Sequence, residues 1–160
     1  MAIKVGDKIP SATLKVPGAD GIKDVTTDEL FRGKRVVLFA VPGAFTPTCS
    51  AKHLPGFVQN ADAIRQKGVD SIVCLAVNDA FVMGAWGKDQ KVGDKVVMAA
   101  DGNGDFTRAL GLELDGTRFG MGSRSQRFAI VAQDGVVKAL HVEAPGKFEV
   151  SSAEAVLKAL

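Results

Sequence analysis

Cys49 has the most chemistry within its reach. It lies in Val41-Pro42-Gly43-Ala44-Phe45-Thr46-Pro47-Thr48-Cys49-Ser50, directly after an apolar run. The turn at Pro42 to Phe45 predicts a helix start, with Thr46 as N-cap and Pro47 at the first helical position, where its missing N–H is no loss. Counting from that cap puts Cys49 in the first helical turn. A sulfur there faces N–H groups without carbonyl partners and the positive end of the helix dipole, and both favour thiolate over thiol. The thiolate is the nucleophilic form. Thr46 could turn its hydroxyl toward the same small space, and Pro42 and Pro47 stiffen the turn. Cysteine is also a favoured core residue, so spacing alone leaves both a reactive and a packed thiol open.

Other residue groupings are weaker. Cys74 lies inside Ile72-Val73-Cys74-Leu75-Ala76, the setting of a packed core thiol. Cys49 and His53 stand four apart, which admits a Cys/His metal site or a thiol–imidazole hydrolase. Structural zinc sites need further close ligand pairs, and helical direction is expected to point His53 one turn away from the sulfur. Asp101-Gly102-Asn103-Gly104-Asp105 imitates the start of a calcium loop. Phe106 stands at the position that requires glycine and Leu112 where the bidentate glutamate belongs, so it reads as a turn before a helix. Gly120-Met121-Gly122 lacks the strand and helix that a dinucleotide site needs, and no CxxC pair is present to form a redox dithiol.

The elements that would position Cys49 follow from the apolar pattern. Residues 12–16 and 22–25 read as a hairpin around Pro17-Gly18-Ala19-Asp20-Gly21. Residues 35–41 and 71–77 are apolar on both parities, as in strands covered on both faces. A helix with Leu54, Phe57, Val58, Ala61 and Ile64 on one face runs from Thr46 to Gly68, kinked at Pro55. Asn78-Asp79 caps a helix over 80–86. Further strands fall at 96–100, 128–132 and 136–142, the last two joined by the tight turn Asp134-Gly135. Ser151 to Glu154 reads as a capping box opening a last helix. This order gives an α/β three-layer α/β/α sandwich with an N-terminal hairpin and a central mixed sheet, one domain over residues 1–160. Ligands bind such sheets at the carboxyl ends of the strands, and the turn after Val41 is one.

Composition narrows the function classes. The 20 basic and 18 acidic residues leave a formal charge of +2 with no basic block, so neither nucleic acid nor an anionic membrane is an expected partner. No apolar run is long enough to span a bilayer. The start has no charged segment leading into an apolar one, so no signal peptide is expected. Together with only 2 cysteines, that points to a reducing, cytoplasmic setting.

The run from Val41 to Ser50 resembles the active-site signature of peroxiredoxins, above all the type II (plant-type, atypical) subfamily. The likeness extends through His53-Leu54-Pro55-Gly56-Phe57, Val77-Asn78-Asp79, Phe81-Val82-Met83, Ala85-Trp86-Gly87 and Ser125-Gln126-Arg127-Phe128. It implies a thioredoxin-like fold and thiol-dependent reduction of hydrogen peroxide and alkyl hydroperoxides. It also implies Cys49 as peroxidatic cysteine, Thr46 as the hydroxyl that contacts peroxide, Pro42 as shield of the sulfur and Arg127 as its guanidinium partner, with Arg124 ranked second. Plant-type members carry a cysteine where Cys74 stands, which makes it a candidate resolving cysteine. Ser151 occupies the segment where some members of the wider subfamily place another. Resolution by an external thiol is therefore expected, from glutathione with glutaredoxin or from thioredoxin, without metal or organic cofactor. The resemblance further implies a homodimer, with Phe45 and Phe81 as candidate contacts. A redox-sensing interaction module on the same scaffold, oxidised once without turnover, is the alternative.

Overall fold

The computed structural model describes residues 2–160. Strand β1 (Thr13–Gly18) and β2 (Gly21–Thr26) form the N-terminal hairpin, followed by β3 (Arg35–Ala40), β4 (Ser71–Ala76), β5 (Val97–Ala100), β8 (Phe128–Gln133) and β9 (Val136–Val142). The sheet order is β2-β1-β5-β4-β3-β8-β9. β3, β4 and β5 are parallel to one another, and the remaining pairings are antiparallel. Strands β6 (Glu113–Asp115) and β7 (Ser123–Ser125) pair separately.

The alternation of side chains along each strand sorts the core into two clusters. On one face, Val37 and Phe39 of β3 and Ile72, Cys74 and Ala76 of β4 lie in one cluster with Leu54, Phe57, Ile64, Met83, Trp86 and Val156. These belong to helices α2 (Leu54–Gln59), α3 (Ala61–Gln66), α4 (Ala80–Asp89) and α6 (Ala153–Ala159). On the other face, Val36, Leu38, Val73 and Leu75 cluster with Leu30 and Phe31 of α1 (Thr27–Phe31) and Phe106 and Leu110 of α5 (Asp105–Leu110). The two faces and their helices make the expected sandwich. Asp134 and Gly135 both adopt positive φ, 49° and 76°, as the tight β8–β9 turn requires.

Three expectations need correction. The single kinked helix from Thr46 to Gly68 is broken into pieces. Pro47 and Thr48 begin it, Cys49–His53 form a π-helical turn, and α2 and α3 follow, separated at Asn60. In the π turn Leu54 donates to the Cys49 carbonyl, five residues back. This wider turn directly precedes Pro55, whose ring would crowd the carbonyl of Ala51 in a regular α-helix. Asn60 then ends α2 by donating both its backbone N–H and its side-chain amide to the Gly56 carbonyl, at 3.0 and 2.7 Å.

The last helix is capped by Ser152, whose hydroxyl accepts from Ala155 N–H, and not by Ser151. The α4 helix continues to Asp89 instead of ending at Trp86, with Asp79 as its cap as expected. The calcium-like loop has the expected role of a turn. Asp101 turns its carboxylate inward to accept from Phe106 and Thr107 at the start of α5.

Candidate active site

The carboxyl end of β3 delivers the chain into the turn from Pro42 to Thr46. Two features set its shape. Phe45 is held at φ 64°, a left-handed conformation uncommon for a bulky residue. Gly43 sits where an added Cβ would meet Thr46 Cγ2 at 3.2 Å, Arg124 Nη1 at 3.3 Å and the Met121 methyl at 3.3 Å, so no larger residue fits without displacement. Asn78, at the end of the neighbouring strand, fixes the turn by accepting from Ala44 N–H at 2.9 Å. Trp86 fixes the helix start by donating to Ser50 Oγ at 3.0 Å.

Cys49 follows this turn with its side chain fully buried. Arg127, directly before β8, donates from Nη2 to the Cys49 sulfur at 3.0 Å. Antiparallel pairing explains the meeting: Phe128 of β8 is opposite Ala40 of β3, so the residue before β8 lies beside the turn after β3. Arg124 is close but differently used, donating from Nε to the Met121 carbonyl at 2.8 Å. Pro42, Thr48, Arg127, Glu143 and Phe148 are among the residues that line a cavity of about 350 Å³.

Thr46 stands at the helix start, but its hydroxyl does not cap the first turn as expected. It donates to the Gly43 carbonyl at 2.7 Å, while the Thr46 carbonyl accepts from Ser50 N–H at 2.9 Å. Cys74 packs in the same apolar cluster as Cys49, and both thiols are free. Burial, and then the neighbouring Cys49, push the Cys74 thiol well above the usual range, with Arg127 opposing.

His53 is the residue whose placement sequence reasoning missed. Its ring joins the site through Arg127 and not through the sulfur: Arg127 Nη1 lies 2.7 Å from Nδ1, and Nε2 lies 2.9 Å from the Ser151 carbonyl. Burial, followed by the Arg127 charge, lowers its pKa from 6.5 to about 3, against the opposing pull of the Ser151 carbonyl and Glu143. With both ring nitrogens engaged elsewhere, His53 is not a base for Cys49, and the thiol–imidazole hydrolase fails. Phe39 and Phe57 flank the ring at centroid distances of 5.0 and 5.6 Å. The four-residue spacing from Cys49 was the available signal, since it already set both residues on one helix face.

Among the described residues no cluster of three His, Cys, Asp or Glu side chains could hold a metal ion. No helix of the described residues is long and apolar enough to cross a membrane.

A mixed sheet between two helix layers, with a cysteine at the turn after its central strand, defines a thioredoxin-like protein of the redoxin class. The Redoxin family model matches residues 4–157. The chloroplastic peroxiredoxin-2E of Arabidopsis thaliana is 55% identical, over 99% of this chain and 70% of its own. Peroxiredoxin-2B of the same plant is 49% identical, over 99% of this chain and 98% of its own. The crystal structure of reduced Prx3 from Vibrio vulnificus in complex with hydrogen peroxide superposes with a TM-score of 0.94 at 54% identity, covering 98% of each chain. The chain belongs to the peroxiredoxin family, in its type II branch. Its activity is that of a thiol-dependent peroxidase, with a hydroperoxide as oxidant and a thiol as reductant.

Proposed function

We propose that Cys49 is the peroxidatic nucleophile and that Arg127, Thr46 and Pro42 form its site. The observation that carries this reading is the 3.0 Å contact from the Arg127 guanidinium to a sulfur buried at a helix start. A guanidinium stays charged at any relevant pH, so it sets a fixed positive charge against the sulfur. The thiolate attacks one oxygen of the hydroperoxide and the O–O bond breaks. The departing oxygen takes up a proton as alcohol or water, leaving Cys49 as sulfenic acid. Charge moves from sulfur to the leaving oxygen during this step, so fixed donors beside both atoms stabilise the transition state. Arg127 and the first-turn N–H groups serve as those donors, and the Thr46 hydroxyl, whose proton goes to the Gly43 carbonyl, offers its oxygen to accept from the peroxide O–H. Pro42 walls the cavity and brings no N–H to compete.

A first external thiol then displaces water from the sulfenic acid to give a mixed disulfide. A second thiol releases Cys49 and leaves as a disulfide. The two thiols supply both electrons, so we assign no metal or organic cofactor. Thioredoxin, or glutathione with glutaredoxin, fits that requirement. Cys74 is tied by its backbone into the middle of the sheet, opposite Phe39 and Met98, which supports external resolution. Such a cycle suits one domain working in a thiol-rich compartment such as the cytoplasm. Phe45 and Phe81, 52% and 77% exposed, support association of two copies near the active-site turn. The test is steady-state peroxide consumption by Cys49→Ser: we expect no turnover, and retained turnover overturns the assignment.

A further inference from the structure

The loop between β9 and α6 carries a buried carboxylate that the reaction above does not use. Glu143 directly follows β9, and its N–H continues the ladder by donating to the Arg127 carbonyl at 3.0 Å. Its side chain turns inward and is 6% exposed. There it accepts from Glu149 N–H at 2.9 Å, Val150 N–H at 2.9 Å, Ser151 N–H at 2.8 Å and the Ser151 hydroxyl at 2.7 Å. Burial opposes this charge, and these donors outweigh it, holding the carboxyl below its usual range. No lysine or arginine pairs with it among the described ion pairs.

The consequence lies at the next link. Both donors of Ser151 are taken by Glu143, and its carbonyl is fixed toward His53 Nε2. A carbonyl only accepts and a guanidinium only donates. The proton of the neutral ring must therefore sit on Nε2, which leaves the Nδ1 lone pair for Arg127. The same loop supplies Phe148, whose ring meets His53 edge-on at 5.0 Å and lies 5.8 Å from the Arg127 guanidinium carbon. One loop thus sets the tautomer of His53 and lays an aromatic ring against Arg127.

We propose that Glu143 and Ser151 are positioning residues for the peroxidase reaction, acting through His53 to aim Arg127 at the Cys49 sulfur. This rests on the reading of Arg127 given above. An uncharged ring as the intermediate link orients the guanidinium without placing a carboxylate against it, so its charge is left to the sulfur. Ser151 is therefore committed to the clamp.

A double-mutant cycle on the full chain tests this, reading kcat/KM for hydrogen peroxide and the ¹⁵N chemical shifts of the histidines. Glu143→Gln should lower kcat/KM about tenfold, the low end for loss of an outer partner that orients a reacting group, and should mix the His53 tautomers. Combined with Arg127→Ala it should add nothing further. Full additivity of the two losses, or a Glu143→Gln enzyme at the wild-type rate, overturns the proposal. Should Glu143→Gln fail to fold, Ser151→Ala replaces it in the same cycle. That change removes one donor and keeps the carbonyl, with an expected loss of two- to threefold and the same two contrary outcomes. If Arg127→Ala by itself leaves the rate unchanged, the reading of the site is what falls, and the clamp falls with it.

Discussion

Cys49 and Cys74 are both fully buried and share one apolar cluster, yet only one of them stands where sulfur chemistry can be supported. Cys74 lies mid-strand with its backbone paired on both sides. Burial there raises its pKa and disfavours the thiolate. Cys49 begins a helix and has the Arg127 guanidinium at 3.0 Å. The comparison teaches that burial by itself quiets a thiol, and that a nearby fixed positive charge and free N–H groups are what make a buried sulfur useful.

The sharpest way to break the comparison is to exchange the two thiols' fates. Cys49→Ser should reduce turnover by at least about a thousandfold, as loss of a covalent nucleophile does, measured with thiol-coupled peroxide consumption. Arg127→Ala should slow peroxide reduction about a hundredfold, checked by stopped-flow mixing with hydrogen peroxide. An unchanged rate would transfer the role to Arg124. Thr46→Val keeps the shape of the side chain and removes one neutral hydroxyl. It should cost about tenfold in kcat/KM, the loss expected for one hydrogen bond.

Acidification probes the ring that holds Arg127. Folded His53 resists protonation until about pH 3, whereas an ordinary histidine protonates near 6.5. Between those values the unfolded chain binds a proton that the folded chain refuses. Stability is therefore complete above 6.5 and falls on acidification, by about 1.4 kcal/mol per pH unit at most. Below 4.5 the lowered Glu143 adds a loss of the same sign. Urea midpoints at stepped pH measure this, and His53→Gln should flatten the upper part of the fall. The smallest effect belongs to Cys74→Ala. With resolution external, turnover supported by glutaredoxin should change less than twofold, within the range of a modest core change. Loss of turnover would make Cys74 the resolving thiol.

Much of this arrangement was legible in the residues. The apolar runs of β3 and β4 announced covered strands, and Thr46-Pro47 announced the helix start that carries Cys49. What escaped has local causes. The π turn arises from Pro55 acting backward on the preceding turn, which helical periodicity does not register. Ser151 and Ser152 are equally good caps in sequence, and the choice was made by Glu143, which drew Ser151 away. α1 is only 5 residues long, too short to show a period. Arg127, His53 and Glu143 meet through the β3–β8–β9 pairing, so their network exists only once the sheet is assembled.

The most direct measurement is mass spectrometry of the reduced protein after one equivalent of hydrogen peroxide, with dimedone present to trap sulfenic acid. The account predicts the adduct on the peptide bearing Cys49, and its replacement by a glutathione disulfide on that same residue when glutathione is added. An adduct on Cys74, or an unmodified Cys49 with peroxide consumed, would contradict it.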